Sequence, residues 1–191
     1  MNSTTIATGA PRSLTLTLSQ ALRRVAELKG EIKEHTSRAS GNVCFVQEQE
    51  PVFRFEEEIM LRAQALEEMI RLEAAIAEAN AVTKIEFEGR KMAIAEAVRR
   101  LQEFKGEIAF YASLQIREGK TSHREPEFDE HERRVMRTVE TVYVSLLSER
   151  SRVAKVAELR KRFSALNGLV ESANHRTELL VELPPEVVPE T

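Results

Sequence analysis

Two pairs of arginines are the residues of this chain that are best suited by type and spacing to bind another molecule. Arg23-Arg24 recurs as Arg99-Arg100, each pair inside a segment that is nearly copied. A guanidinium group is a planar fork that binds a phosphate or carboxylate through two hydrogen bonds. Converging pairs would therefore form a site for a small anionic ligand. The alternative, which we favour, is a solvated helix face where glutamates three or four residues away pair with these side chains.

An Asn-x-x-Thr motif also occurs twice, as Asn80 with Thr83 and as Asn174 with Thr177. Both copies fall where a helical pattern stops, and asparagine tolerates the left-handed conformation that often ends a helix. We therefore predict that the motif caps two helices. A paired polar ligand site at one end of the fold is the alternative.

Patterns typical of catalysis are missing from the sequence. It contains no HExxH zinc motif, no glycine-rich phosphate loop and no nucleophile elbow, and no Glu-x-x-His pair suits a di-metal bundle site. We accordingly assign no catalytic residue, no metal ligand and no cofactor. A non-enzymatic role is the expectation.

The composition limits which binding partners and which cellular compartment we expect. The net charge is −3, with 28 basic and 31 acidic residues interspersed, so no basic field draws nucleic acid. No run of 18 uncharged apolar residues could span a bilayer, and the first residues do not resemble a secretory signal. The single cysteine excludes an internal disulfide. We expect a soluble cytoplasmic protein that binds neither nucleic acid nor membrane.

The chain contains an internal repeat, in which one sequence unit occurs twice. Residues 21–32 (ALRRVAELKGEI) and 97–108 (AVRRLQEFKGEI) are near copies, and the Glu-Pro pair at Pro51 recurs at Pro126. Apolar residues at steps of three and four indicate helices. The predicted fold class is all-α, an antiparallel helical bundle of two duplicated helical hairpins. The predicted divisions are a flexible N-terminal segment (1–17), the bundle (18–177, with repeat units of about 18–83 and 94–177) and a Pro-rich tail (178–191).

The fourth helix is predicted to run from Asp129 to Asn174, which makes it 19 residues longer than its counterpart. Its apolar residues follow a spacing close to the heptad repeat of a coiled coil. Part of this stripe would have no partner within the chain, so we expect it to pair with another subunit in a homo-oligomer. The predicted interface consists of Val135, Val139, Val142, Leu146, Val153 and Val156.

Gly30 and Gly106 interrupt strong helical patterns, where glycine costs about 1 kcal/mol relative to alanine. We therefore predict that they allow close approach between the first and third helices.

Residues 18 to 180 resemble the septicolysin-like family of small bacterial helical proteins. The resemblance is carried by Ala21, Leu22, Leu28 and Ile32, by Val46-Gln47-Glu48 with Glu50-Pro51, and by the two Asn-x-x-Thr motifs. It implies a helical bundle of largely unassigned function. The sequence departs from the family pattern in its long fourth helix and at His175, where tryptophan is frequent. A pore-forming activity is not carried over, because no membrane-inserting segment is visible.

The expected function is that of a self-associating helical interaction or scaffold protein. The alternative is an oligomeric protein that binds or sequesters a small ligand or nucleotide, with arginine-lined pockets at helix or subunit junctions.

Overall fold

The computed structural model describes residues 12–49, 51–128, 130 and 134–183, and within these ranges the fold is mixed α/β. The described residues are 60% helical and 24% in strands, so the all-α prediction is wrong. The elements, in chain order, are β1 (Arg12–Thr17), α1 (Leu18–Asn42), α2 (Phe55–Val82), β2 (Lys84–Phe87), β3 (Arg90–Ala93), α3 (Ile94–Ser113), β4 (Gly119–Phe128), β5 (Arg134–Tyr143), α4 (Glu149–Arg176) and β6 (Glu178–Leu183).

The strands form three antiparallel pairs in the described part of the chain: β1 with β6, β2 with β3, and β4 with β5. The first pair corrects two predicted boundaries. Residues 12–17, predicted to be flexible, and residues 178–183, predicted to belong to a Pro-rich tail, form β1 and β6 in register from Arg12↔Leu183 to Thr17↔Glu178. Alternate residues of β6 are buried, which is the period of a half-buried strand. Residues 1–11 and 184–191 lie outside the described part.

The chain divides into two compact units. The first contains the described residues up to Arg99 and those from Leu166 onward, and the second contains Arg100–Ala165. In the first unit α1 packs on α2, and buried residues recur along α1 at helical spacing. The buried residues of these two helices are Leu18, Ala21, Val25, Leu28, Ala39, Glu58, Ala65, Leu72, Ile76 and Ala79.

Helix α1 begins at a capping box formed by Thr17 and Gln20. The Gln20 backbone N–H donates to the Thr17 hydroxyl at 3.2 Å, and the Thr17 N–H donates to the Gln20 side-chain oxygen at 2.8 Å. Two N–H groups that have no carbonyl acceptor within the helix thus find hydrogen-bond partners. The box fixes the point at which β1 turns into α1.

The predicted extension of the fourth helix is wrong. Helices α2 and α4 each contain 28 residues. The extra residues of the second sequence repeat instead form the β4–β5 hairpin, which connects α3 to α4. Each of its strands contains ten residues. Within β5, threonine and valine dominate, and β-branched side chains favour strands. The spacing of Val135, Val139 and Val142 coincides with a heptad, although the three residues lie on a strand.

The glycine prediction also fails. A Cβ added at Gly30 or at Gly106 would meet nothing within 4 Å, so neither glycine is required by a close helix contact. Gly89 is different, because it follows Glu88 in the β2–β3 turn and both have positive φ, 76° and 51°. This combination is typical of a two-residue type I′ hairpin.

We therefore expect Gly30→Ala to stabilise the protein by about 1 kcal/mol, the helix-propensity difference between the two residues. The midpoint of urea unfolding measures the effect. Gly89→Ala is the control, since a side chain at positive φ is strained and the midpoint should fall. A midpoint for Gly30→Ala that is unchanged or lower would show that this position is constrained after all.

Candidate functional site

Arg24 is bound by carboxylates and does not present its fork to an external anion. Its Nε donates to Glu68 Oε1 at 2.8 Å and its Nη2 to Glu68 Oε2 at 3.3 Å, so the carboxylate of α2 is held in two places. Its Nη1 donates to Glu31 at 2.7 Å and lies 3.7 Å from Glu27. The hydrogen bond that Arg24 donates to Glu68 is the main reason that the pKa of Arg24 is held above its ordinary value. The residue joins α1 to α2.

The other three arginines of the predicted anion site have different surroundings. Arg23 is exposed on α1. Arg99 belongs to the first unit and Arg100 to the second, and each interacts with other residues. For Arg24, the pairing with glutamates that we favoured from spacing is present, with Glu68 of α2 as an additional partner that the sequence could not reveal.

The two Asn-x-x-Thr motifs end two equivalent helices, and threonine is the residue at the helix end. The Thr83 N–H donates to the Ala79 carbonyl and the Thr177 N–H to the Ala173 carbonyl, both at 2.9 Å. Thr83 has extended backbone angles, φ −70° and ψ 127°, and leads directly into β2. Asn80 and Asn174 lie within the last turns of α2 and α4, and neither has the left-handed conformation that motivated the capping prediction. The Asn174 side-chain oxygen is buried with no hydrogen-bond partner.

The carbonyls of the same threonines accept hydrogen bonds from the first residues of the helices that begin beside them. The Leu18 N–H, at the start of α1, donates to the Thr177 carbonyl at 2.8 Å. The Ile94 N–H, at the start of α3, donates to the Thr83 carbonyl at 3.1 Å. Each repeat thus ends by accepting the first N–H of a helix in the other repeat. The structure brings both motifs to one place in the first unit.

Two clefts open beside this junction, and Thr83 and Thr177 line both. The first, of about 350 Å³, lies between α2 and the start of β6. The second, of about 520 Å³, lies between α4 and the start of β2. Volumes of this order are usual for small-molecule sites. The first cleft is lined by Ala75, Glu78, Ala79, Val82, Thr83, Thr177, Glu178, Leu179 and Leu180. The second is lined by Thr83, Lys84, Ile85, Glu86, Leu169, Ala173, Arg176 and Thr177.

The two clefts are copies made by the internal repeat. Thr177 follows Thr83 by 94 positions, and the same step carries Ala79 to Ala173 and Lys84 to Glu178. Their charges have diverged. The first cleft carries the carboxylates of Glu78 and Glu178, whereas the second carries Lys84 and Arg176 with Glu86. These charged residues were not predicted from the sequence, although they lie beside the two Asn-x-x-Thr motifs.

The β4–β5 hairpin is the most exposed element of the second unit. Every residue of β4 is exposed, and of β5 only Val139 and Thr141 are half-buried. Large apolar side chains nevertheless occur on both strands: Phe128, Val135, Met136, Val142 and Tyr143 are exposed. Five large apolar side chains exposed on one hairpin form a surface that a partner could cover.

The six residues of the predicted oligomer interface lie on different elements of the structure. Val135, Val139 and Val142 lie on β5, and Leu146 is fully exposed in the connection that follows it. Val153 and Val156 lie on α4, where Val153 is exposed and Val156 is buried. The six residues therefore do not form one helical stripe, and the coiled-coil geometry proposed for them is wrong.

Comparisons with known proteins give a likeness of fold. The chain is similar to the crystal structure of a functionally unknown conserved protein from Corynebacterium diphtheriae, with a TM-score of 0.63 and 15% sequence identity. The similarity covers 87% of this chain and 99% of the other. The likeness is one of fold alone. No family model and no curated protein matches the chain. The resemblance to the septicolysin-like family therefore stays a prediction.

The described residues contain no group of three or more histidine, cysteine, aspartate or glutamate side chains placed to hold a metal ion. Within the same ranges, no helix combines the length and apolarity needed to cross a membrane.

We expect Glu68→Ala to destabilise the protein by about 1–2 kcal/mol, because it removes a charge-assisted, two-point contact from the α1–α2 interface. Glu73→Ala is the matched control. Glu73 pairs with Lys29 across the same helices at 2.9 Å but is 46% exposed, against 15% for Glu68. Its loss should cost about 0.5 kcal/mol or less. Equal losses for both variants in urea unfolding would contradict the structural role assigned to Arg24.

Proposed function

We propose that this protein is a self-associating protein of the interaction or scaffold class, and that the β4–β5 hairpin is its contact surface. The single observation behind the proposal is the exposure of ten-residue strands on both faces while they carry large apolar side chains. An isolated two-stranded hairpin is marginally stable in water. Contact with a second molecule would bury this apolar surface and stabilise the hairpin.

The charges on the hairpin are compatible with a second copy of the same chain as the partner. Lys120 lies 3.9 Å from Glu140, and Arg137 lies 3.5 Å from Glu127, so both signs are interspersed along the strands. Neither strand presents a field of one sign that would repel an identical copy. This arrangement fits self-association better than binding to a strongly acidic or strongly basic partner.

This proposal keeps the self-association expected from the sequence but replaces its physical basis. The expectation depended on an overhanging helix, which the structure does not contain. The proposed contact surface is instead the β4–β5 strand pair. It includes three of the six residues predicted for the interface, Val135, Val139 and Val142.

Val142→Glu should weaken self-association at least tenfold, since it places a carboxylate where the proposed contact buries an apolar side chain. Sedimentation equilibrium at micromolar concentrations measures the dissociation constant. Val46→Glu is the matched control: both valines are 58% exposed, but Val46 lies in the connection between α1 and α2. A monomeric wild-type protein would refute the proposal, and so would equal effects of the two substitutions.

A second candidate function is the binding of a small anionic ligand in the cleft between α4 and β2. The observation that favours it is the placement of Lys84 and Arg176 beside the hydroxyl-bearing residues Thr83 and Thr177 in a cleft of about 520 Å³. Two cations and two hydroxyls are donors suited to a phosphate or carboxylate. Glu86 in the same cleft would favour a ligand that also carries a donor group.

Inorganic phosphate and ATP should raise the melting temperature of the protein if this cleft binds anions. Lys84→Ala should remove the rise, while Lys33→Ala, which deletes the same charge from an exposed position on α1, should retain it. A rise that survives Lys84→Ala and Arg176→Ala would exclude the cleft as the binding site.

A further inference from the structure

The outer edge of β5 is a strand whose sequence is complementary to itself. We propose that two copies of the chain join by antiparallel pairing of β5 with β5 about a twofold axis at Val139, which converts two hairpins into one four-stranded sheet. This inference deepens the proposed function and rests on it, since it names the strand and the register of the contact.

Strand β5 has one open edge. In the described structure β5 forms ladder bonds only with β4, so its other side presents unpaired N–H and C=O groups. Such an edge is a template for another strand. A three- or four-stranded sheet is stable where a two-stranded one is marginal.

The edge of β4 is less suitable than that of β5. Pro126 lies within β4 and has no N–H to donate. Proline within a sheet is characteristic of a strand edge that is not extended by a further strand. Strand β5 contains no proline, and three of its ten residues are valine and two are threonine. The contact is therefore assigned to β5.

Symmetry restricts the register. A twofold axis normal to the sheet keeps each side chain on its own face, so residues opposite each other must belong to the same face of β5. With the axis at Val139, Val139 faces the partner's Val139. On the same face Val135 lies opposite the partner's Tyr143, and on the other face Met136 lies opposite the partner's Val142.

Cross-strand pairs of aromatic and β-branched residues are among those that stabilise antiparallel sheets, and like charges directly opposite destabilise them. In the register at Val139, the charged residues Arg137 and Glu140 lie opposite the partner's Thr141 and Thr138. The side chain of Glu140 is also neighboured by Lys120 of its own hairpin. No like charges lie directly opposite each other in this register.

Neighbouring registers are worse by the same criteria. An axis at Glu140 would place two carboxylates opposite each other, and an axis at Arg137 would do the same with two guanidinium groups. An axis at Thr138 would place Met136 opposite the partner's Glu140. Only the axis at Val139 pairs apolar residues on both faces among these four.

Cysteine crosslinking tests the register in the full-length chain. With Cys44→Ser removing the exposed native thiol, Val139→Cys should form a covalent dimer under mild oxidation or with a short thiol crosslinker, because the two thiols lie opposite each other. Val135→Cys is the matched control on the same strand and face. Its thiol and the partner's would lie about 27 Å apart at ~3.4 Å per residue, so it should remain uncrosslinked. Val135→Cys combined with Tyr143→Cys should crosslink again.

The outcomes separate the register from the association itself. A dimer by sedimentation in which Val139→Cys fails to crosslink, or Val135→Cys crosslinks equally well, overturns the β5 register but leaves self-association standing. A wild-type protein that sediments as a monomer overturns both. The circular dichroism and melting temperature of each variant should match those of the parent, and the double-cysteine variant provides a second readout if Val139→Cys alters folding.

Discussion

The structure of the first unit depends on the hydrogen bonds that tie each strand–helix junction to the other repeat. A helix beginning directly after a strand leaves its first N–H groups without helical acceptors. Here the carbonyls of Thr177 and Thr83 accept the first N–H of α1 and of α3. The same threonines end α4 and α2, so one residue closes a helix, starts a strand and supports the next helix. The β1–β6 and β2–β3 ladders follow from this geometry.

This constraint also explains why the two clefts are related. Because each threonine is followed by a strand and preceded by the last turn of a helix, the repeat generates the same cleft twice. Divergence of a few side chains then made one cleft acidic and left cations in the other. The two repeats differ more in their connections. In the first, α1 ends at Asn42 and α2 begins at Phe55, whereas the second carries the exposed β4–β5 hairpin on which the self-association proposal is built.

Much of the repeat was predictable from particular residues. The near copies at Ala21–Ile32 and Ala97–Ile108 lie on α1 and α3, and the two Asn-x-x-Thr motifs lie at the ends of α2 and α4. The Glu-Pro echo was misleading, because Pro51 precedes α2 whereas Pro126 lies within β4. The hairpin was missed because three valines of β5 fit a heptad as well as a strand. Period alone does not separate the two when the residues between are methionine, arginine, threonine and glutamate.

The sequence by itself determined the duplication, the positions where helices end and the mixed charge, because these depend on residue type and local spacing. Only the tertiary structure decided that Arg24 is bound by Glu68, that β1 finds β6, and that the two threonines meet. Those contacts join residues distant in the chain, and their partners are chosen by packing and by the pairing of backbone groups rather than by local preference. The placement of the candidate site is for that reason a property of the fold.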